Sequence, residues 1–385
     1  MPAQPDILTV QYRLFRRQKM KRYRSVIELH TEKLDEYKRL RANVWPDVLA
    51  MINLRIPKIM YLVAALLCIS TATPSGYGRN LDSLQESFLD LKFGMFIHFN
   101  MATYIEGEWA TGTEDPLLFN PVALDCGQWA AAATAAHMKY AVLTVKHTGG
   151  WCLWDSAYTD HDVTMLKNYK NGKGDLVQKF CTAFRKRNIK IGFYYCFPLL
   201  NKKWADYQTL PIEGYSEGKG DAVAFIKNQF TELLTGYGDV SVLWVDQFGA
   251  HNGGLKPGDW ESIKAHVHSL QPNCIVIANN STQFSQTDIY SYEYPYSHKL
   301  PPTGNANPSE VCDKIQEAGW FWKPKGIAVN RSVDYIVNTM LIPLTNRRSN
   351  YLLNCAPDTR GLMPDDVVKR LREIGKAWDP ICPNP

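Results

Sequence analysis

Several apolar, β-branched runs in this chain end on a polar side chain, and those terminal residues are the ones equipped for chemistry. Asp246 follows Val240-Ser241-Val242-Leu243-Trp244-Val245. Such a run must be buried if it forms a strand, so a carboxylate at its end costs desolvation energy unless it has a use. The plainer alternatives are an Asp paired with a neighbouring Arg, or a cap on the next helix. Glu293 closes Tyr290-Ser291-Tyr292, where aromatic crowding would push a carboxyl toward the protonated form that a general acid needs. Glu108, in Glu106-Gly107-Glu108-Trp109, lies on the long loop after the first apolar run and could fold over the same place. An ionised carboxylate facing a protonated one about 5 Å away is the arrangement that cleaves a glycosidic bond with retention. Only one acid is needed, and the residues leave Glu108 and Glu293 both open; either could instead be a loop carboxylate bonded to backbone amides.

His98 and His147 end the runs 93–97 and 142–146. One buried His is ordinarily structural, but two at equivalent positions suit the binding of sugar hydroxyls. Tyr194 or Tyr195, and Asn279 or Asn280, end two further runs, and Trp244 stands two residues before Asp246. No third His or carboxylate has metal-ligand spacing and no CxxC occurs, so neither a metal nor a cofactor is expected. Seven of the nine cysteines, Cys68, Cys152, Cys181, Cys196, Cys274, Cys312 and Cys355, lie scattered through apolar or mixed runs, which reads as small core residues before it reads as a disulfide framework.

Bringing these residues together requires the strands that carry them to share one end. Strand-like runs fall at 93–98, 140–146, 190–196, 240–246, 274–278, 289–293, weakly at 319–322, and at 350–355. Amphipathic helical patterns separate them at 127–137, 174–186, 221–236, 260–269, 308–317, 333–345 and 365–377. Strand and helix alternating about eight times predicts an α/β fold, a (β/α)8-like TIM barrel over residues 79–378, with working residues at the carboxyl ends of the strands. A doubly wound sheet is the alternative, but no glycine-rich phosphate loop follows the first strand. With 385 residues, 45% of them hydrophobic, the chain can bury one such core and something small besides.

The formal charge of +5 is concentrated before residue 60, in Arg16, Arg17, Lys19, Lys21, Arg22 and Arg24, so nucleic acid is not an expected partner of the main domain. Aromatic content of 12% suits stacking on sugar rings as well as an ordinary core. Residues 59–69 are apolar, follow Arg55 and Lys58, and lead into Ser70-Thr71-Ala72-Thr73-Pro74. That resembles a secretory signal segment over about 58–72, too short for a membrane span, and predicts a secreted or periplasmic protein. Within residues 1–54, the stretch 35–49 resembles the start of the L-rhamnose and L-fucose mutarotases, with Arg41 where that family has His. It reads as a short α+β remnant, joined by a linker over 55–78; residues 379–385 read as a tail.

Further motifs carry a longer resemblance. Lys92-Phe93-Gly94-Met95-Phe96-Ile97-His98, Tyr140 to His147 followed by Cys152-Leu153-Trp154-Asp155-Ser156, Lys190-Ile191-Gly192-Phe193-Tyr194-Tyr195, Val242 to Asp246, and Tyr351-Leu352-Leu353-Asn354-Cys355-Ala356-Pro357-Asp358 with Gly361 together resemble the α-L-fucosidases of glycoside hydrolase family 29 over residues 85 to 378. The resemblance implies a retaining exo-hydrolase acting on fucosylated glycans. In it Asp246 attacks the anomeric carbon, His98, His147 and a Tyr of the third strand bind fucose hydroxyls, and Trp322 of Gly319-Trp320-Phe321-Trp322 lines the pocket. The acid position in different members falls near Glu108 or Glu293. This chain departs from the pattern at Thr148, Gly149 and Asn280, where a second His, an Asp and an Arg are usual. A barrel that binds glycans without turnover, or a mutarotase carrying a barrel, are the competing readings.

Overall fold

The computed structural model describes residues 79–197, 222–248, 255, 257–316, 319–324 and 329–379. The signal-like segment, the mutarotase-like remnant and the residues after 379 lie outside the described residues. Eight strands form one sheet: β1 (Phe93–Ile97), β2 (Tyr140–Lys146), β3 (Lys190–Cys196), β4 (Val242–Asp246), β5 (Ile275–Ala278), β6 (Tyr290–Glu293), β7 (Ser309–Lys314) and β8 (Ser349–Asn354). Their order is β5-β4-β3-β2-β1-β8-β7-β6, and every paired neighbour is parallel. This is the expected (β/α)8-like barrel. The seam lies between β5 and β6, each only four residues long. It is bridged by Asp288 N–H to the Val276 carbonyl at 2.7 Å, by Ser291 N–H to Ser281 at 2.9 Å, and by Glu293 N–H to the side-chain oxygen of Asn280 at 2.9 Å.

Every residue of β1, β2 and β8 is buried. Both faces are covered, which explains why these strands read as continuous apolar runs and not as alternating ones. The outer face packs against helices that begin on side-chain caps: Asn80, Asp125 and Asp175 each accept the N–H of the third residue beyond, opening α1 (Leu81–Leu89), α2 (Cys126–Ala135) and α3 (Leu176–Arg185). In α3 the buried Leu176, Val177, Phe180, Cys181 and Phe184 recur at helical spacing and face the sheet. All seven cysteines among the described residues are buried thiols without a disulfide.

One element differs from its sequence pattern. Residues 308–317 read as a helix, but Ser309–Lys314 is strand β7, and 319–322 belongs to the loop after it. The polar residues that gave this stretch a helical look are buried and individually satisfied across the barrel. Glu310 accepts from Tyr140 Oη at 2.6 Å and Trp244 Nε1 at 2.9 Å, and Asp313 accepts from the Tyr351 and Tyr335 hydroxyls at 3.1 and 3.2 Å. The Tyr140 ring lies directly over Gly94, where a Cβ would collide with it. At the seam Asp288 is buried against Arg79, Lys264 and His268 at 2.5, 2.9 and 3.0 Å. Burial works to raise its pKa, yet the His268 hydrogen bond, the Lys264 and Arg79 charges and the Val276 N–H hold the carboxyl well below the usual range. Among the described residues no helix is long and apolar enough to cross a membrane.

Candidate active site

The carboxyl ends of the strands converge on a pocket of about 270 Å³. That is near the roughly 300 Å³ lower bound of ordinary ligand sites, a size for one small ring. Asp246 lines it, at the end of a strand whose other residues are buried. Its Oδ1 accepts from the Gln247 N–H at 2.8 Å and Asn279 Nδ2 at 3.1 Å, and its Oδ2 from the Tyr194 hydroxyl at 2.9 Å. Burial raises the pKa of this carboxyl, and the three donors oppose that by favouring the anion.

Glu293 lines the pocket from the end of β6. Asn279 Nδ2 also donates to its Oε2 at 2.9 Å, and Asn280 Nδ2 to the same oxygen at 3.0 Å. Because a single nitrogen is 3.1 Å from Asp246 Oδ1 and 2.9 Å from Glu293 Oε2, those two oxygens can be no more than about 6 Å apart. Burial raises the Glu293 pKa most, the two amides and the Trp320 side chain lower it, and the Asp246 charge pushes it up further. Of the two groups, Glu293 is therefore the one disposed to keep a proton.

Both histidines reach the pocket as neutral acceptors. Asn354 is oriented by its Nδ2, which donates to the Trp320 carbonyl at 2.7 Å, so its Oδ1 faces His98 Nδ1 at 2.8 Å and must receive the ring proton. The Thr148 hydroxyl donates to the Ala110 carbonyl at 3.1 Å and thus accepts from His147 Nδ1 at 3.2 Å. In each ring this leaves Nε2 as a lone pair. Burial drives the His98 pKa well down, helped by the neighbouring His147, and brings that of His147 to about 3. Gly149 leaves no room for the Asp usual in the family pattern, since a side chain there would meet the Ala110 methyl at 2.6 Å.

Tyr194 is stacked between His147 and Trp244, with ring centroids 5.4 Å away on each side. Trp244 forms part of the wall and is held from behind by Glu310. Trp109, Tyr296 and Trp320 complete the aromatic mouth, the first two about half exposed.

Three expectations need correction. Tyr195 does not face the pocket: side chains alternate across a strand, and its hydroxyl lies outside the barrel wall between Lys146 Nζ at 2.9 Å and Gln229 Oε1 at 2.6 Å. The tryptophan on the wall is Trp320, not Trp322, because both backbone groups of Trp320 are anchored, its N–H to Glu108 and its carbonyl to Asn354. Glu108 is committed to that same N–H and is not among the lining residues, so of the two glutamates only Glu293 is paired with Asp246. The expected Asp246, Glu293, His98, His147, Tyr194, Trp244 and Asn279 all line the pocket. Sequence reasoning passed over Trp320, although it stands in the quoted motif, and Glu310, which was hidden in a stretch with a helical pattern. Among the described residues no group of three or more His, Cys, Asp or Glu is arranged to hold a metal.

The sequence model of the alpha-L-fucosidase family matches residues 66–379. Alpha-L-fucosidase 1 of Arabidopsis thaliana is 30% identical over 319 residues, covering 75% of this chain and 58% of that protein. The plasma alpha-L-fucosidase of Rattus norvegicus is 25% identical over 374 residues, covering 84% of this chain and 76% of the rat protein. Among solved structures, alpha-L-fucosidase isoenzyme 1 from Paenibacillus thiaminolyticus superposes with a TM-score of 0.64 at 28% identity, covering 77% of this chain and 75% of that one. The chain spans a little under 60% of the length of the Arabidopsis relative. A family match over this much of the chain, on a barrel whose strand ends present two bridged carboxyl groups to a single pocket, establishes that the chain belongs to the alpha-L-fucosidase family.

Proposed function

We propose that this chain is a retaining exo-α-L-fucosidase acting on terminal fucosyl groups of glycans, with Asp246 as nucleophile and Glu293 as acid and base. The observation that carries the reading is the Asn279 bridge. It keeps Asp246 Oδ1 and Glu293 Oε2 within about 6 Å, a closeness that suits the roughly 5–5.5 Å carboxyl separation of retaining enzymes.

Asp246 Oδ1 is engaged by two donors, so Oδ2 keeps a lone pair for attack on the anomeric carbon. As the C–O bond to the aglycone breaks, Glu293 gives its proton to the departing oxygen, leaving a fucosyl ester on Asp246. Glu293, now ionised, takes a proton from water, whose oxygen displaces Asp246 and restores the free carboxylate. The neutral Nε2 atoms of His98 and His147 can each accept a sugar hydroxyl, and Trp320 and Trp244 offer apolar faces to the ring and methyl group.

Trapping with a fluorinated fucosyl donor, followed by peptide mapping, tests sugar class and nucleophile together. The ester is expected on Asp246; a label on any other residue removes the assignment. Hydrolysis of an aryl α-L-fucoside that is equally slow for the native chain and for Asp246→Gly would make this a glycan-binding barrel without turnover. We further infer export of the protein, on the strength of the signal-like segment at 58–72. N-terminal sequencing of material recovered outside the cell should start after that segment, and a start before residue 58 removes the inference. Removal of residues 1–57 should leave fucosidase activity intact.

A further inference from the structure

The open seam of the barrel and the acid of the proposed mechanism coincide. β5 and β6 are not joined by the regular ladder that joins the other neighbours. At the pocket end of the seam the connection is made by two side chains, Asn279 and Asn280. Asn280 takes the Glu293 N–H on its Oδ1 at 2.9 Å and donates through Nδ2 to Glu293 Oε2 at 3.0 Å, so its amide is fixed at both ends. Its backbone has φ +54, the left-handed region that asparagine tolerates better than most residues. Asn279 Nδ2 reaches the same Oε2 at 2.9 Å from its position beside Asp246.

A carboxyl oxygen offers two lone pairs in its plane, and two N–H donors occupy both. A proton cannot share that oxygen without crowding three hydrogens around it, so protonated Glu293 must carry its proton on Oε1. We propose that Asn279 and Asn280 are positioning residues that hold the proton of Glu293 on Oε1, the oxygen neither amide engages, for transfer to the departing aglycone. An amide is suited to this task, since it orders the carboxyl without adding the positive charge that would drive it to ionise. The proposal rests on the reading of Glu293 as the acid.

The test compares kcat/KM for 2,4-dinitrophenyl α-L-fucoside, whose aglycone leaves without a proton, with kcat/KM for phenyl α-L-fucoside, whose aglycone needs one. Asn280→Gly keeps the positive φ and removes the donor, while Asn280→Asp keeps the shape and turns the donor into an acceptor; Glu293→Gln is the control. General acid catalysis is worth about 10²- to 10⁴-fold, and Glu293→Gln should lose that much on the phenyl substrate. Misplacing the proton forfeits part of it. Asn280→Gly is expected to lose about tenfold on the phenyl substrate and less than about twofold on the dinitrophenyl one, with Asn280→Asp showing the same contrast. An equal loss on both substrates, or no loss on either, overturns the proposal while Glu293→Gln still discriminates between the aglycones. Should Glu293→Gln itself fail to discriminate, the acid assignment is wrong and the proposal falls with it.

Discussion

The Tyr194 hydroxyl donates to Asp246 Oδ2 at 2.9 Å, and its ring is clamped between those of His147 and Trp244. This bond to a partly buried carboxylate favours the anion that the proposed mechanism needs, and the stacking prevents the hydroxyl from swinging away. Tyr194→Phe should therefore raise the Asp246 pKa and move the acid limb of the kcat/KM profile to higher pH. A hydrogen bond to a charged group is worth about 1.5–3 kcal/mol, so kcat/KM should fall roughly 10- to 100-fold. An unmoved acid limb in the measured pH profile would show that Tyr194 does not support the proposed nucleophile.

Glu310 is a buried carboxyl beneath the pocket, held by two neutral donors, the Tyr140 hydroxyl and the Trp244 indole. Burial lifts its pKa from the ordinary 4.5 to about 7, while Tyr140 and Trp244 pull the other way. Between these values the folded chain holds a proton that the unfolded chain releases, so its contribution to stability is complete below about pH 4.5 and declines as pH rises through about 7. Glu310→Gln removes this titration and can keep both contacts, because the Tyr140 hydroxyl can turn to accept. The difference in melting temperature between variant and native chain, measured by calorimetry from pH 5 to 8, should move in favour of Glu310→Gln as pH rises. A flat difference would refute this account.

Asp288 shows the opposite sign. Its folded pKa is held down by His268, Lys264, the Val276 N–H and Arg79 against the effect of burial, so its stabilisation is present above the ordinary carboxylate value near 4 and is lost as pH falls below it. Asp288→Asn leaves three basic side chains without their shared anion beside the short seam strands. Breaking such a cluster should cost about 3–5 kcal/mol in urea unfolding. A loss under about 1 kcal/mol would place the cluster with exposed surface pairs.

Lys323 ties down the loop that carries Glu108 and Trp109. Its Nζ donates to the carbonyls of Ala102, Ile105 and Gly107 at 3.1, 3.0 and 2.6 Å. Lys323→Met keeps the length of the side chain and deletes all three bonds, loosening the mouth while leaving the two carboxyl groups untouched. KM should rise about tenfold with kcat changed less than about threefold, the pattern of lost uniform binding. A fall in kcat at constant KM would contradict it.

The sequence alone disclosed those features that are written locally. An apolar run ending in Asp246, His98 or His147 is visible because parallel strands covered on both faces are continuous in hydrophobicity, and in a barrel their carboxyl ends share one rim. The tertiary structure decided whatever depends on a partner far along the chain. Glu293 and not Glu108 stands beside Asp246 because Asn279 bridges the first and the Trp320 N–H claims the second. Tyr194 and not Tyr195 faces inward because the register of β3 sets which side of the wall each residue meets. Strand β7 was disguised by Glu310 and Asp313, whose polarity is tolerable in a core only because Tyr140, Trp244, Tyr335 and Tyr351 arrive from other elements to satisfy it. Local pattern reports the burial a segment expects, whereas the hydrogen-bond partner that makes a buried polar group affordable comes from across the fold, where no sequence window reaches.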